Sequence, residues 1–230
     1  MTSMNKYECL LFDADNTLLD FDANEKVSLE NTFRHFSLPF DDRIMSMYHR
    51  INIMYWNLMA RGGITREELL TKRFETLFEE AGITADPVST ENYYRSQLDK
   101  GCQLVPGAME ICKRLKDEYR LFIITNGVAS TQHNRLRGSG LEKLMDGIFI
   151  SEEIGYNKPA LQFFRAVENG IPGFDHKRAL VIGDGLESDI RGGILYGLDT
   201  CWINIYNAEN NTEIVPTYEI QDIKDLPSVL

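Results

Sequence analysis

The chain has 230 residues, 43% of them apolar, and a formal net charge of -11. That acidity argues against a nucleic-acid polymer or an anionic membrane as partner, whereas a small phosphorylated ligand needs only a local cation. The length is generous for one compact domain and short for two full ones. Cys9, Cys102, Cys112 and Cys201 are scattered without a C-x-x-C pair, and His35, His49, His133 and His176 are equally dispersed. Neither a disulfide framework nor a zinc site is expected. No apolar run at the start is long enough for a signal peptide, and no later run reaches membrane-spanning length. The expectation is a reduced, cytoplasmic protein.

The first predicted element is a buried strand at 9–12, Cys-Leu-Leu-Phe, which runs straight into Asp13-Ala14-Asp15-Asn16-Thr17. In open α/β sheets, ligands bind beyond the carboxyl ends of strands. Strand geometry turns alternate residues to opposite faces, but a strand that breaks into a loop can aim both carboxylates at one substrate. One can then attack while the other gives or takes a proton.

From 17 to 96 the pattern is helical. Val27, Phe33 and Phe36 indicate one helix, and Ile44, Met47, Tyr48, Ile51, Met54, Tyr55 and Leu58 form a stripe at three- and four-residue spacing. Thr65-Arg66-Glu67-Glu68 reads as a capping box, followed by Leu69, Leu70, Phe74, Leu77 and Phe78 and stopped at Gly82. Tyr93, Tyr94 and Leu98 indicate a last helix. The stripe is read as bundle core rather than pocket lining. Arg61-Gly62-Gly63-Ile64 must turn between two helices; it either does only that or also presents Arg61 to a substrate.

Beyond this segment, apolar runs at 121–125, 148–150, 179–183 and 200–205 alternate with helical stretches, the signature of a doubly wound α/β sheet. Pro106-Gly107 opens one helix and Pro159 another, which Gly170 stops. Three more signals follow, two of them at strand ends. Thr125-Asn126-Gly127 offers a hydroxyl and backbone N–H groups to an anion, although Asn-Gly is also a common turn. Lys158 precedes a proline, which holds it extended. Gly183-Asp184-Gly185-Leu186-Glu187-Ser188-Asp189 places acids in a loop after a strand, a donor set that suits Mg2+.

Together the four segments resemble the haloacid dehalogenase (HAD) superfamily along the whole chain. Asp13-x-Asp15-x-Thr17, Thr125, Lys158-Pro159 and Gly183-Asp184-x4-Asp189 match its four motifs in order and spacing, with a helical insert directly after the first. The resemblance implies a HAD-like, Rossmann-like, mostly parallel sheet, with a catalytic core of 1–16 plus 97–230 and an inserted helical cap of 17–96. It implies that Asp13 is a nucleophile forming an aspartyl phosphate and that Asp15 protonates the leaving alkoxide, then activates water. It further implies that Lys158 supplies positive charge and that Thr125, Asn126 and Gly127 bind the phosphoryl oxygens. Mg2+ would be held by the Asp13 carboxylate, the Asp15 backbone carbonyl and Asp184, with Asp189 behind them.

Halide leaves without a proton, so Asp15 favours a phosphatase over a dehalogenase. Phe12–Leu18, 123–127, 150–155, 187–194 and 200–204 are similar together to the YjjG-type noncanonical pyrimidine nucleotidases. That implies a nucleoside monophosphate substrate. Gly185 departs from the Ser or Thr common at its position. A sugar-phosphate or phosphoglycolate phosphatase, a phosphomutase, and a non-catalytic ligand-binding protein are the alternatives. The sequence leaves monomer and homodimer open.

Overall fold

In the computed structural model, which describes residues 5–230, the elements in chain order are β1 (Cys9–Phe12), α1 (Phe21–His35), α2 (Asp42–Ala60), α3 (Arg66–Ala81), α4 (Pro87–Leu98), α5 (Ala108–Leu115), β2 (Arg120–Thr125), α6 (Ala129–Ser139), β3 (Gly147–Ile150), α7 (Ser151–Ile154), α8 (Leu161–Gly170), β4 (Ala179–Gly183), α9 (Arg191–Tyr196), β5 (Asp199–Ile203) and β6 (Tyr218–Ile220). The six strands form one sheet in the order β3-β2-β1-β4-β5-β6, every neighbouring pair parallel. β1 lies between β2 and β4, where the strand order reverses. This is the switch point at which such sheets open a crevice.

The strands read as unbroken apolar runs because both faces are covered. Leu10, Phe12, Ile123 and Ile182 pack with Ala108, Ile111, Cys112 and Leu115 of α5 and with Leu136 of α6. Cys9, Leu11, Ile124 and Val181 pack with Phe163, Phe164 and Val167 of α8. The period-two alternation along each strand thus feeds two separate cores.

Two expected element limits shift. β5 ends at Ile203 rather than at 205, because Asn204 turns the chain. Its amide nitrogen donates to Ala208 O at 3.0 Å, and its Oδ1 accepts from Ala208 N at 2.8 Å. Three-residue β6 then pairs with β5 at the sheet edge, an element with no sequence expectation behind it. Pro159 does not open α8 directly: Ala160 is the N-cap and the helix begins at Leu161.

The chain divides into two compact units, residues 1–21 with 102–230 and residues 22–101. The boundaries fall later than 16 and 96. Leu18 and Leu19 are fully buried in the sheet unit's core, and Asp20 N donates to Gln103 O at 3.0 Å, so 17–21 belong to the sheet. The second unit holds four helices. The capping box of α3 forms as expected, and Gly82 ends that helix in the left-handed conformation at φ 68°. Ile44, Tyr48 and Ile51 of the stripe are buried, whereas Met54 and Leu58 are exposed.

A buried polar chain ties these four helices. Glu25 of α1 accepts from Asn52 of α2 at 2.8 Å; Asn52 accepts from Arg73 of α3 at 2.9 Å; Arg73 donates to Glu91 of α4 at 2.8 Å. The rings of Tyr48, Phe74 and Tyr94 surround the Arg73 guanidinium at 5.1–5.8 Å. Among the described residues no helix is long and apolar enough to cross a membrane. All four cysteines are free thiols.

Candidate active site

The backbone turns where the apolar run of β1 stops. Asp13 still holds the sheet, its N–H donating to Ile182 O at 2.8 Å. Three residues on, Asn16 takes a left-handed φ of 55°, and its N–H donates to Leu19 O at 2.7 Å. Asn accepts that backbone region more readily than most residues. The chain therefore turns under Asp15 instead of continuing the pleat.

Lys158 is the hub. It is 1% exposed, and its Nζ donates to Asp13 Oδ1 at 2.6 Å, Asp189 Oδ1 at 2.5 Å and Ile124 O at 2.7 Å. An ammonium has three hydrogens, and all are spent. Its backbone is gripped as well: Lys158 N donates to Asn126 Oδ1 at 2.8 Å, and Asn126 Nδ2 donates to Lys158 O at 2.9 Å. The Asn126 side chain thus fixes the lysine.

Burial pushes the Asp13 carboxyl up to about 7, against the pull of Lys158, with Asp189 and Asp15 adding to the rise. Burial, and then the Asp13 charge, push Asp184 well above the ordinary carboxylate range. Burial alone would lower Lys158, but Asp13 and Asp189 raise it above the ordinary lysine value, so it stays charged. The cluster is short of positive charge. Ligand oxygens of Asp13, Asp184 and Asp189 all lie within 4.8 Å of one another. This all-oxygen, charge-deficient donor set fits a hard divalent cation. Asp189 already spends Oδ1 on Lys158 and Oδ2 on Gly185 N at 3.1 Å, so it holds the loop and the lysine together. Gly183 makes room for it: a Cβ there would sit 2.5 Å from Asp189 Oδ2. At Gly185 a Cβ would meet Ser188 Oγ at 2.3 Å, a contact that rotation of the Ser188 side chain would have to relieve.

Thr125 ends β2 buried. Its Oγ1 accepts from Gly127 N at 3.1 Å and from Gln132 Nε2 at 2.8 Å. A hydroxyl has two acceptor sites and one proton, so Thr125 is left to donate, the polarity an anion requires. Gly127 therefore acts through Thr125. It is also needed for space, since a Cβ there would lie 2.6 Å from the Gln132 side chain. Asp15 is held by Arg135 Nη1 and by Gln132 Nε2 at 2.9 Å. Neither α6 residue is in the sequence-derived set. Arg61 lies in the helical unit as the exposed C-cap of α2.

Two carboxylates and a buried ammonium stand beside a donor hydroxyl at the switch point of a parallel sheet, with an oxygen-rich cation site next to them. That is the site of a hydrolase, and the chain belongs to the haloacid dehalogenase-like hydrolase family, which it matches over residues 7–197. It is 41% identical over 227 residues to the HAD-hydrolase YfnB of Bacillus subtilis, covering 99% of this chain and 97% of that protein. The crystal structure of YfnB bound to magnesium superposes with a TM-score of 0.94 over 98% of this chain and 99% of that one. Pyrimidine 5'-nucleotidase PynA of Streptococcus pneumoniae is 35% identical, covering 96% of this chain and 93% of PynA. Pyrimidine 5'-nucleotidase YjjG of Escherichia coli is 32% identical, covering 98% of both.

Proposed function

We propose that the protein is a Mg2+-dependent phosphomonoesterase acting on pyrimidine nucleoside 5'-monophosphates. The observation that carries the reading is the pairing of Asp15 with Asp13 at one strand end. A nucleophile alone suffices to expel a halide, whereas a nucleoside alkoxide is a poor leaving group and needs an acid. The substrate follows from PynA and YjjG, whose similarity runs through the helical insert as well as the sheet.

Asp13 attacks phosphorus as the P–O5' bond breaks, and Asp15 gives its proton to the departing oxygen. A water then attacks the aspartyl phosphate and yields its proton to Asp15. The P–O bond to Asp13 breaks, releasing phosphate and restoring the Asp13 carboxylate and the protonated Asp15. Bringing a carboxylate to about 4 Å from a phosphate charge costs about 4 kcal/mol per charge pair at an effective dielectric of 20. Lys158 offsets part of it, and the Thr125 hydroxyl offers a preset donor to a phosphoryl oxygen. Asp13 and Asp184 would hold Mg2+, which when bound supplies the remaining positive charge.

A phosphate-release screen tests the reading, with UMP, dUMP, TMP, purine nucleotides and sugar phosphates, each with and without Mg2+. Pyrimidine monophosphates should rank first, and only with the metal. Preference for sugar phosphates would move the protein to another branch of the family, and absence of any phosphate release would end the phosphatase reading.

A further inference from the structure

α6 carries a polar face that points inward. Gln132 and Arg135, three residues apart and so on one side of the helix, are each only 1% exposed. Arg135 Nη1 donates to Asp15 Oδ1 and, at 3.2 Å, to Gln132 Oε1. Gln132 Nε2 donates to Asp15 Oδ2 at 2.9 Å and to Thr125 Oγ1 at 2.8 Å. These bonds fix the amide orientation, because the guanidinium requires an acceptor and the Asp15 carboxylate a donor, which leaves the Thr125 hydroxyl to accept from Nε2. They also use both hydrogens on Nη1 and both on Nε2. The face of the guanidinium is covered by Phe21, whose ring centre lies 5.5 Å from Cζ.

We propose that Arg135 and Gln132 are positioning residues for hydrolysis. Together they set the direction of the Asp15 carboxylate and lock the Thr125 hydroxyl to it, so the proton donor and the phosphoryl-binding group sit in one frame. This rests on the acid–base role given to Asp15 above. The Asp15 side chain is 30% exposed while Arg135 is buried beneath it, so the carboxylate faces outward and is steered from behind. A fully buried guanidinium is costly to desolvate, and here its charge is directed at an oxygen of the group that must reach the leaving atom. Gripping both oxygens restricts rotation of the carboxylate. A degree of misplacement that leaves a fold intact can still cost about 100-fold in rate.

The test is a double-mutant cycle read by leaving group. Uridine release from UMP and p-nitrophenolate release from p-nitrophenyl phosphate are followed in single turnovers with saturating Mg2+. The variants are Asp15→Asn, Arg135→Met, Arg135→Lys and Gln132→Leu. Only the nucleoside requires a proton to leave. Asp15→Asn should therefore slow uridine release by about 100-fold or more, with a small effect on nitrophenolate. Arg135→Met should slow uridine release about 10- to 100-fold, and nitrophenolate by less than about 5-fold. Arg135→Lys should recover part of the loss. In the Asp15→Asn background Arg135→Met should cost under about 2-fold more, because the acid it positions is already gone. Gln132→Leu should additionally weaken substrate binding through Thr125. Equal slowing of both substrates by Arg135→Met, or losses that multiply in the double variant, would overturn the proposal. Should Asp15→Asn itself fail to discriminate between the leaving groups, the acid–base role of Asp15 is what falls. If Arg135→Met does not fold, Arg135→Lys and Gln132→Leu carry the same comparison.

Discussion

Lys158→Met removes the ammonium shared by Asp13 and Asp189, and the cost can be bounded from the structure. At 2.6 Å and 2.5 Å, with an effective dielectric of 20, each contact is worth about 6 kcal/mol of gross attraction. The net loss is smaller, because the substitution also relieves the desolvation of the lysine and because a stranded carboxylate can take up a proton. An ordinary aspartic carboxyl with a pKa of 3.8 is neutralised at pH 7 for about 4 kcal/mol, at about 1.36 kcal/mol per unit. At pH 5 the same uptake costs about 2 kcal/mol. With the Asp13 carboxyl already raised to about 7 in the presence of the lysine, the variant should be destabilised by at most about 4 kcal/mol at pH 7, within the range for a broken buried ion pair, and by at most about half of that at pH 5. Urea unfolding at both pH values without metal measures this directly. Saturating Mg2+ should narrow the gap further. An equal loss at pH 5 and pH 7 would show that Lys158 stabilises by packing rather than by charge, and would refute the electrostatic account of the cluster.

Asp13→Asn should lower phosphate release by at least about 1000-fold, since it removes the nucleophile while keeping an oxygen that can accept from Lys158 Nζ. Asp184→Ala should weaken Mg2+ binding about tenfold or more by calorimetry; unchanged affinity would exclude Asp184 as a ligand. His49 is raised above its ordinary value chiefly by its hydrogen bond to buried Glu25. The stability from that pair is fully present below the unfolded value near 6.5 and is lost as pH rises through the folded value. The thermal midpoint should accordingly fall between pH 6 and pH 8.5, and His49→Asn should flatten that slope. Arg61→Ala should change relative kcat/KM among UMP, TMP and sugar phosphates by about tenfold if the α2–α3 turn selects substrate. A uniform loss across substrates would assign selection to other residues.

The parts of the site legible in the sequence are those that sit where a strand stops. Asp13, Thr125, Asp184 and Asp189 follow buried apolar runs, and the position of a polar residue after such a run already says that it faces a crevice. Gln132 and Arg135 escaped because they lie inside the polar stretch Ser130-Thr131-Gln132-His133-Asn134-Arg135, where a buried polar face looks like a solvated one. Their spacing was visible, but the partner that makes it meaningful is Asp15, more than a hundred residues earlier. Arg73 and Glu91 were hidden for the same reason: paired charges in a helical core read singly as surface. The edge strand β6 is three residues long, too short for its alternation to register against the polar segment before it.

The place of the helical insert has a consequence for how the chain is made. β1 emerges first but pairs only with β2 and β4, and the interval from Phe12 to Arg120 is 108 residues. At ribosomal speeds of about 5–20 residues per second, that strand waits roughly 5–20 s for its first neighbour. Residues 22–101 have no such delay, since their helices close on partners nearby in sequence and local contacts form early. The insert is therefore finished during synthesis while Cys-Leu-Leu-Phe is still an unpaired apolar edge, open to other chains. Each residue added to the insert would prolong that exposure.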